Sequence, residues 1–377
     1  MKIQEIKTYV TKVKLKDTFG FSQWYYSEKY NLIVKIVTDE GIFGLGECYG
    51  PAKVIKPIID DLIKPKLINR DPLLNENIWN DLYKSTLDFS RKGIIMSAIS
   101  GIDIALWDIK AKFSSLPLYK LLGGSDNKIP CYGTGMYFPF EINESETITK
   151  ILKEGDNYIK QGFDFLKIKI GKNIDFDKKL IKEFRKAFPK IILSADANHA
   201  YSYKEALVIG KILEENNYYW FEEPVSPDNL EAYSNLRNNL SIHIAGGECE
   251  QTRYGFRQML EKSAVDIIQP DISYSGGLTE FQKIHGLALS YNTDILPHIW
   301  GLKINQAVGA SAITIIQDNP GRYENKKKYM EYDLTEHPVR DEVFITNHKF
   351  ENGYFYLSDE PGIGINLNKT KLEKYLI

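Results

Sequence analysis

Over Ile3 to Val13, Asn31 to Thr38 and Ile42 to Cys48, apolar and polar positions alternate with period two and β-branched residues are frequent. That pattern predicts half-buried strands, with Asp39-Glu40-Gly41 as the turn between the second and third. From about Lys53 to Phe113 the period lengthens to that of a helix, and Ala98, Ile102, Ala105 and Ile109 fall on one face. Leu122-Gly123-Gly124-Ser125 interrupts the pattern and marks a domain boundary at residue 125.

Beyond that boundary, short apolar runs alternate with longer helical stretches, the sign of βα units and a parallel sheet. The runs are Cys131 to Met136, Phe165 to Ile170, Ile191 to Ala195, Tyr218 to Phe221, Ile242 to Ala245, Asp266 to Gln269, Asp294 to Leu296, and Lys328 to Met330. An ionisable residue stands at the end of seven of them: Lys169, Asp196, Glu222, Glu248, Asp271, His298 and Glu331, spaced 23 to 33 residues apart. A TIM-like barrel has this repeat and carries its active site at the C-terminal strand ends. The expected fold class is therefore α/β, with a barrel over residues 126–339. The last segment returns to strand and turn signals, is too short to stand alone, and is expected to pack on the N-terminal module.

Three carboxylates in one mouth repel one another and need a cation or shared protons. Asp196, Glu222 and Glu248 offer oxygen only, which suits Mg²⁺ with room for water and a substrate oxygen. Glu223 should point to the other side of its strand. Lys167 and Lys169 share one strand face, the lumen in a barrel, where two desolvated ammonium groups depress each other's proton affinity and one can serve as a base. Asp271 and His298 end neighbouring strands; a carboxylate on one imidazole nitrogen sets the tautomer and raises basicity. Asn198 could orient a ligand or cap the turn. His199 is expected to face away, and Cys249 to pack.

Composition narrows the setting. Forty-eight Lys and Arg against fifty Asp and Glu leave a net charge of −2, with no overall footprint for nucleic acid or anionic membrane. Cys48, Cys131 and Cys249 lie far apart with no CxxC pair, which points to a reducing, cytoplasmic setting rather than a disulfide framework. The opening residues alternate rather than form the apolar core of a signal peptide, and no run is apolar enough to span a bilayer.

These residues resemble the enolase superfamily, in particular its mandelate-racemase-like group. The resemblance rests on the helix ending in Trp107-Asp108, Lys167-Ile168-Lys169, Asp196-Ala197-Asn198, Phe221-Glu222-Glu223-Pro224, Gly246-Gly247-Glu248, Pro270-Asp271, Pro297-His298 and Met330-Glu331-Tyr332-Asp333, and it runs through essentially the whole chain. It implies a (β/α)₇β barrel with an α+β cap built from residues 1–125 and completed by 340–377. It also implies Asp196, Glu222 and Glu248 as magnesium ligands, Lys169 as one base, and Lys167 and Glu331 as contacts to a substrate carboxylate. His298 with Asp271 is then the second acid/base, and a homo-oligomer is implied. In the muconate-lactonising and dipeptide-epimerising branches the second base is a lysine ending the sixth strand; Val265 to Ser273 has none here.

Members of the remaining group resemble sugar-acid dehydratases, which remove the C2 proton and expel the 3-hydroxyl to give a 2-keto-3-deoxy acid. The small-molecule partner expected is a sugar acid. Phe19 to Tyr30, read as a lid joining two strands, mixes aromatic faces with hydrogen-bonding groups, and Tyr26 is its expected substrate contact. Racemisation or epimerisation of a 2-hydroxy acid uses the same groups and is the alternative; a catalytically silent binding barrel is the remote one.

Overall fold

The computed structural model describes residues 1–124, 126–318 and 326–377; Ser125, at the expected boundary, lies outside the described residues. Strands β1 (Ile3–Gly20), β2 (Tyr25–Thr38) and β3 (Phe43–Cys48) form the antiparallel meander read from the alternation. The expected lid is mostly strand, because the β1–β2 ladder reopens at Phe19↔Tyr26 and Gly20↔Tyr25 beyond an irregularity; only Phe21 to Trp24 turns. The long helix Ile94–Phe113 lies directly on β3. Gly44 and Gly46 allow that approach, since a Cβ on either would come within 2 Å of the helix carbonyls of Ala105 and Gly101.

The eight apolar runs correspond to parallel strands β4 (Lys128–Thr134), β6 (Phe165–Lys169), β7 (Ile192–Asp196), β8 (Trp220–Glu222), β9 (His243–Gly246), β10 (Ile267–Ile268), β11 (Asp294–Ile295) and β12 (Met330–Asp333). The intervening β5 (Phe138–Pro139) pairs with β1 instead. The parallel order is β12-β4-β6-β7-β8-β9-β10-β11, and among the described residues no ladder joins β11 to β12. The sheet nevertheless curls: Tyr132, Phe165, Trp220, Ala245, Ile267, Leu296 and Tyr329 meet in one buried cluster. Phe165 lies 4.8 Å from Trp220 and 5.2 Å from Tyr329 between ring centroids. Period two then puts Lys167 and Lys169 above Phe165, and Glu222 above Trp220, on the same inner face.

Polar anchors hold the N-terminal layer over the strand ends. Glu47 at the end of β3 accepts from the amides of Leu302 (2.7 Å) and Asn305 (3.0 Å), and the Tyr49 amide donates to the Ser273 carbonyl (3.1 Å). On the long helix, Trp107 Nε1 donates to Thr279 Oγ1, and Asp103 accepts from the Thr279 amide and hydroxyl. Asp108, fully buried, accepts from the Leu45 and Ile363 amides, so the Trp107-Asp108 motif ties helix, meander and tail together.

The tail adds strands β13 (Phe344–Thr346), β14 (Lys349–Glu351), β15 (Tyr354–Tyr356) and β16 (Ile365–Leu367). It contacts both layers: β15 pairs antiparallel with β4, while Leu376 bridges Thr11 on β1. Among the described residues, no helix is long and apolar enough to cross a membrane.

Candidate active site

The strand ends bring the predicted acids together. Asp196, Glu222 and Glu248 each place a carboxylate oxygen within 4.8 Å of the others; the first two are fully buried and the Glu248 side chain is 14% exposed. Lys169 Nζ lies 2.5 Å from Asp196 Oδ2 and 3.0 Å from Asn198 Oδ1. Lys167 Nζ bridges Glu222 Oε1 (2.5 Å) and Glu331 Oε1 (2.9 Å), crossing from β6 to β8 and β12. Buried carboxylates this close need positive charge around them, and the lysines supply part of it.

Lys167 does lower the proton affinity of Lys169, as the sequence suggested, but carboxylates act against it. Burial disfavours the ammonium on each, but Glu222 and Glu331 around Lys167, and Asp196 beside Lys169, outweigh it and raise both above the ordinary lysine value. Glu331, although buried, is pulled down to about 2 by Lys167 and His298.

On the other side, His298 Nδ1 lies 2.6 Å from Asp271 Oδ2, and Nε2 lies 3.5 Å from Glu248 Oε2. Burial works against imidazolium, yet Glu248, Glu331 and Asp271 together push His298 up to about 10. Asp271 is itself held through Oδ1 by the Ser273 amide (2.7 Å) and hydroxyl (2.6 Å). Glu331 Oε2 accepts from the Ile299 amide (3.0 Å), which fixes that carboxylate next to the histidine loop.

Asn198 is neither a free ligand arm nor only a turn cap. Its side chain accepts from Lys169 and its amide donates to Asp196 Oδ1 (2.9 Å), so it positions both. The cap settles on this loop, since Ser22 Oγ donates to the carbonyls of Ala197 and Asn198, and Gln23 Nε2 donates to the Asn198 carbonyl. Tyr26 stands in the aromatic roof, 5.5 Å from the Trp300 ring, and is close enough to Lys169 and Glu248 for both to act on its hydroxyl. Tyr49 continues that roof, 6.1 Å from the His298 ring. A cavity of about 510 Å³ opens beside these rings, lined by Tyr26, Lys29, Glu47, Tyr49 and Trp300 among others.

Sequence reasoning missed several supports. Gln269 Nε2 (2.8 Å) and Trp220 Nε1 (2.9 Å) both donate to Glu222 Oε2 and set its orientation. A polar amide closing the apolar run Asp266 to Gln269 was the available signal for the first. Lys29 on β2 lies over the Phe19 and Trp300 rings, and burial lowers it to about 8. His199 and Glu223 do leave the triad, but toward each other and Cys249.

The family described as "Enolase C-terminal domain-like" matches residues 150–371, and "Mandelate racemase / muconate lactonizing enzyme, N-terminal domain" matches residues 5–123. The chain belongs to the enolase superfamily. Within the superfamily, it is 35% identical to the D-galactarolactone cycloisomerase of Agrobacterium fabrum, over 100% of this chain and 99% of that one. It is 34% identical to the arabinonate dehydratase of Saccharolobus solfataricus, over 90% and 89%. Among solved structures, the 3,6-anhydro-D-galactonate cycloisomerase of Zobellia galactanivorans superposes with a TM-score of 0.89 at 40% identity, covering 100% of both chains.

Proposed function

We propose that this superfamily member catalyses a magnesium-dependent β-elimination on a sugar acid, giving a 2-keto-3-deoxy acid. One observation carries the reading: two acid/base groups border different members of the carboxylate triad, Lys169 on β6 at Asp196 and the His298–Asp271 pair after β11 and β10 at Glu248. The donor set fits the ion, being all carboxylate oxygen and mutually close, with Asp196 and Glu222 buried and Glu248 open enough to admit solvent. When bound there, magnesium supplies positive charge for the substrate carboxylate and takes up carboxylate charge that otherwise holds Lys169 protonated.

Lys169 Nζ accepts the C2 proton. The C2–H electron pair becomes the C2–C3 double bond, the C3–O bond breaks, and His298 Nε2 gives its proton to the departing oxygen. Asp271 keeps Nδ1 of His298 engaged, so the proton delivered comes from Nε2. The resulting enol tautomerises to the 2-keto acid. Lys167 and Glu331 border the place of the substrate carboxylate, and the aromatic roof over His298 excludes water.

The departing oxygen distinguishes two forms of this reaction. A free 3-hydroxyl leaves as water, making the protein a hydro-lyase of aldonic acids. A ring oxygen on C3 stays attached to the product, making it a cycloisomerase, and the 40% identity to an enzyme for a 3,6-anhydro acid favours testing this form alongside the first. The experiment is a screen of aldonic and aldaric acids, their lactones and 3,6-anhydro acids with Mg²⁺, read by 2-keto acid formation and product mass. Loss of one water identifies the dehydratase, and an isomeric keto acid the cycloisomerase. Inversion at C2 without any keto product replaces the proposal with a racemase or epimerase.

A further inference from the structure

Three consecutive strand ends carry chemistry that the elimination leaves unused. After Asp196 comes His199, after Glu222 comes Glu223, and after Glu248 comes Cys249, so each end offers a second donor just outside the carboxylate triad. One donor atom from each of His199, Glu223 and Cys249 lies within 4.8 Å of the others. His199 Nε2 is 3.3 Å from Glu223 Oε2 and 3.7 Å from Cys249 Sγ.

Two features set this group apart from ordinary packing. Glu223 is 1% exposed, yet neither carboxylate oxygen makes a well-formed hydrogen bond, the His199 imidazole lying 3.3 Å from Oε2. A buried carboxylate so poorly compensated is costly, and a cation between these side chains would relieve it. The spacing also matches an ion: around a tetrahedral centre with bonds of about 2.0 to 2.3 Å, neighbouring donors stand roughly 3.3 to 3.8 Å apart.

We propose that His199, Glu223 and Cys249 form a second cation site, for a borderline-soft divalent ion such as Zn²⁺ or Co²⁺. Imidazole, carboxylate and thiolate select such ions, whereas the all-oxygen triad selects Mg²⁺. The two sites differ in donor chemistry, and only the outer one offers a thiolate to its ion. Backbone bonds hold the outer set in place, with the His199 amide donating to the Glu223 carbonyl (2.8 Å) and the Glu223 amide to the Ala245 carbonyl (3.0 Å). Solvent reaches it, because Cys249 is exposed and borders a cavity of about 170 Å³ with Gly247, Tyr233 and Tyr274. The fourth tetrahedral position falls to water.

The test is a Co²⁺ titration of the Mg²⁺-loaded full chain, followed by absorption and by metal analysis. The expected result is a tetrahedral cobalt centre with a thiolate-to-cobalt charge-transfer band, distinct from any cobalt that replaces Mg²⁺ at the oxygen-only triad. Cys249→Ser should abolish the charge-transfer band, His199→Ala should weaken cobalt binding read by that band at least about tenfold, and Cys131→Ser, at a buried thiol elsewhere, should change neither. Absence of the band in the wild type, or its survival in Cys249→Ser, overturns the proposal. Neither result bears on the elimination, which is read by keto acid formation with Mg²⁺ alone.

Discussion

The two flanks of the mouth hold their acid/base groups in different ways. On the lysine flank, Lys167 and Lys169 pair directly with Glu222 and Asp196, so their protonation is bound up with the carboxylates that hold the cation. On the histidine flank, His298 faces Glu248 of the triad across 3.5 Å but also has Asp271, braced by Ser273, as a partner outside the triad. The difference assigns roles. A base whose proton is held only by the triad can lose it when the triad's charge is taken up, while an imidazolium that keeps one carboxylate partner outside the triad can still act as the acid.

The sharpest break of this contrast removes each group in turn. Lys169→Ala and His298→Asn should each lower kcat for keto acid formation by roughly 10² to 10⁴. Asp271→Asn comes next, with a fall in kcat on the order of 10² and little change in KM, since it disturbs the histidine without touching the triad. A KM effect as large as the kcat effect would place Asp271 in substrate binding instead.

Gln269→Leu probes the other flank more gently. It removes a donor that orients Glu222, so the Mg²⁺ concentration needed for half-maximal activity should rise about 10- to 100-fold, with saturating kcat nearly retained. An unchanged Mg²⁺ requirement would show that Trp220 Nε1 and Lys167 suffice to set that carboxylate.

The smallest effect concerns what supports the histidine flank from the cap. Burial pushes Glu47 up to about 8, although the Leu302 and Asn305 amides pull the other way. A carboxyl raised on folding contributes stability that is complete below its unfolded value of about 4.5 and is lost as pH rises through about 8. The Tm should therefore fall between about pH 5 and about pH 9, and Glu47→Gln should flatten that fall. An equal slope in the variant would remove Glu47 as its source.

How much was legible in the chain follows from which forces act locally. The eight parallel strands show in the sequence because each is an apolar run bounded by turns, down to Ile267–Ile268, and the strand-end ionisable residues show because the repeat is regular. The lid was misread because Phe19 and Tyr26 pair across an irregularity that no alternation announces. Lysine protonation also depends on which carboxylates lie within 3 Å, and the run Phe165 to Ile170 alone does not show those. Gln269 and Glu47 escaped for the same reason, each acting through a partner distant in sequence or in another layer, whereas Ser273 braces Asp271 from only two residues away.

The division of roles between the flanks is tested most directly by proton exchange at C2. With an acid that the wild type converts, Mg²⁺ and deuterated solvent, the His298→Asn protein should still exchange the C2 proton while forming no keto acid. The Lys169→Ala protein should do neither. Exchange that persists in Lys169→Ala and vanishes in His298→Asn would contradict the assignment and make the histidine the base.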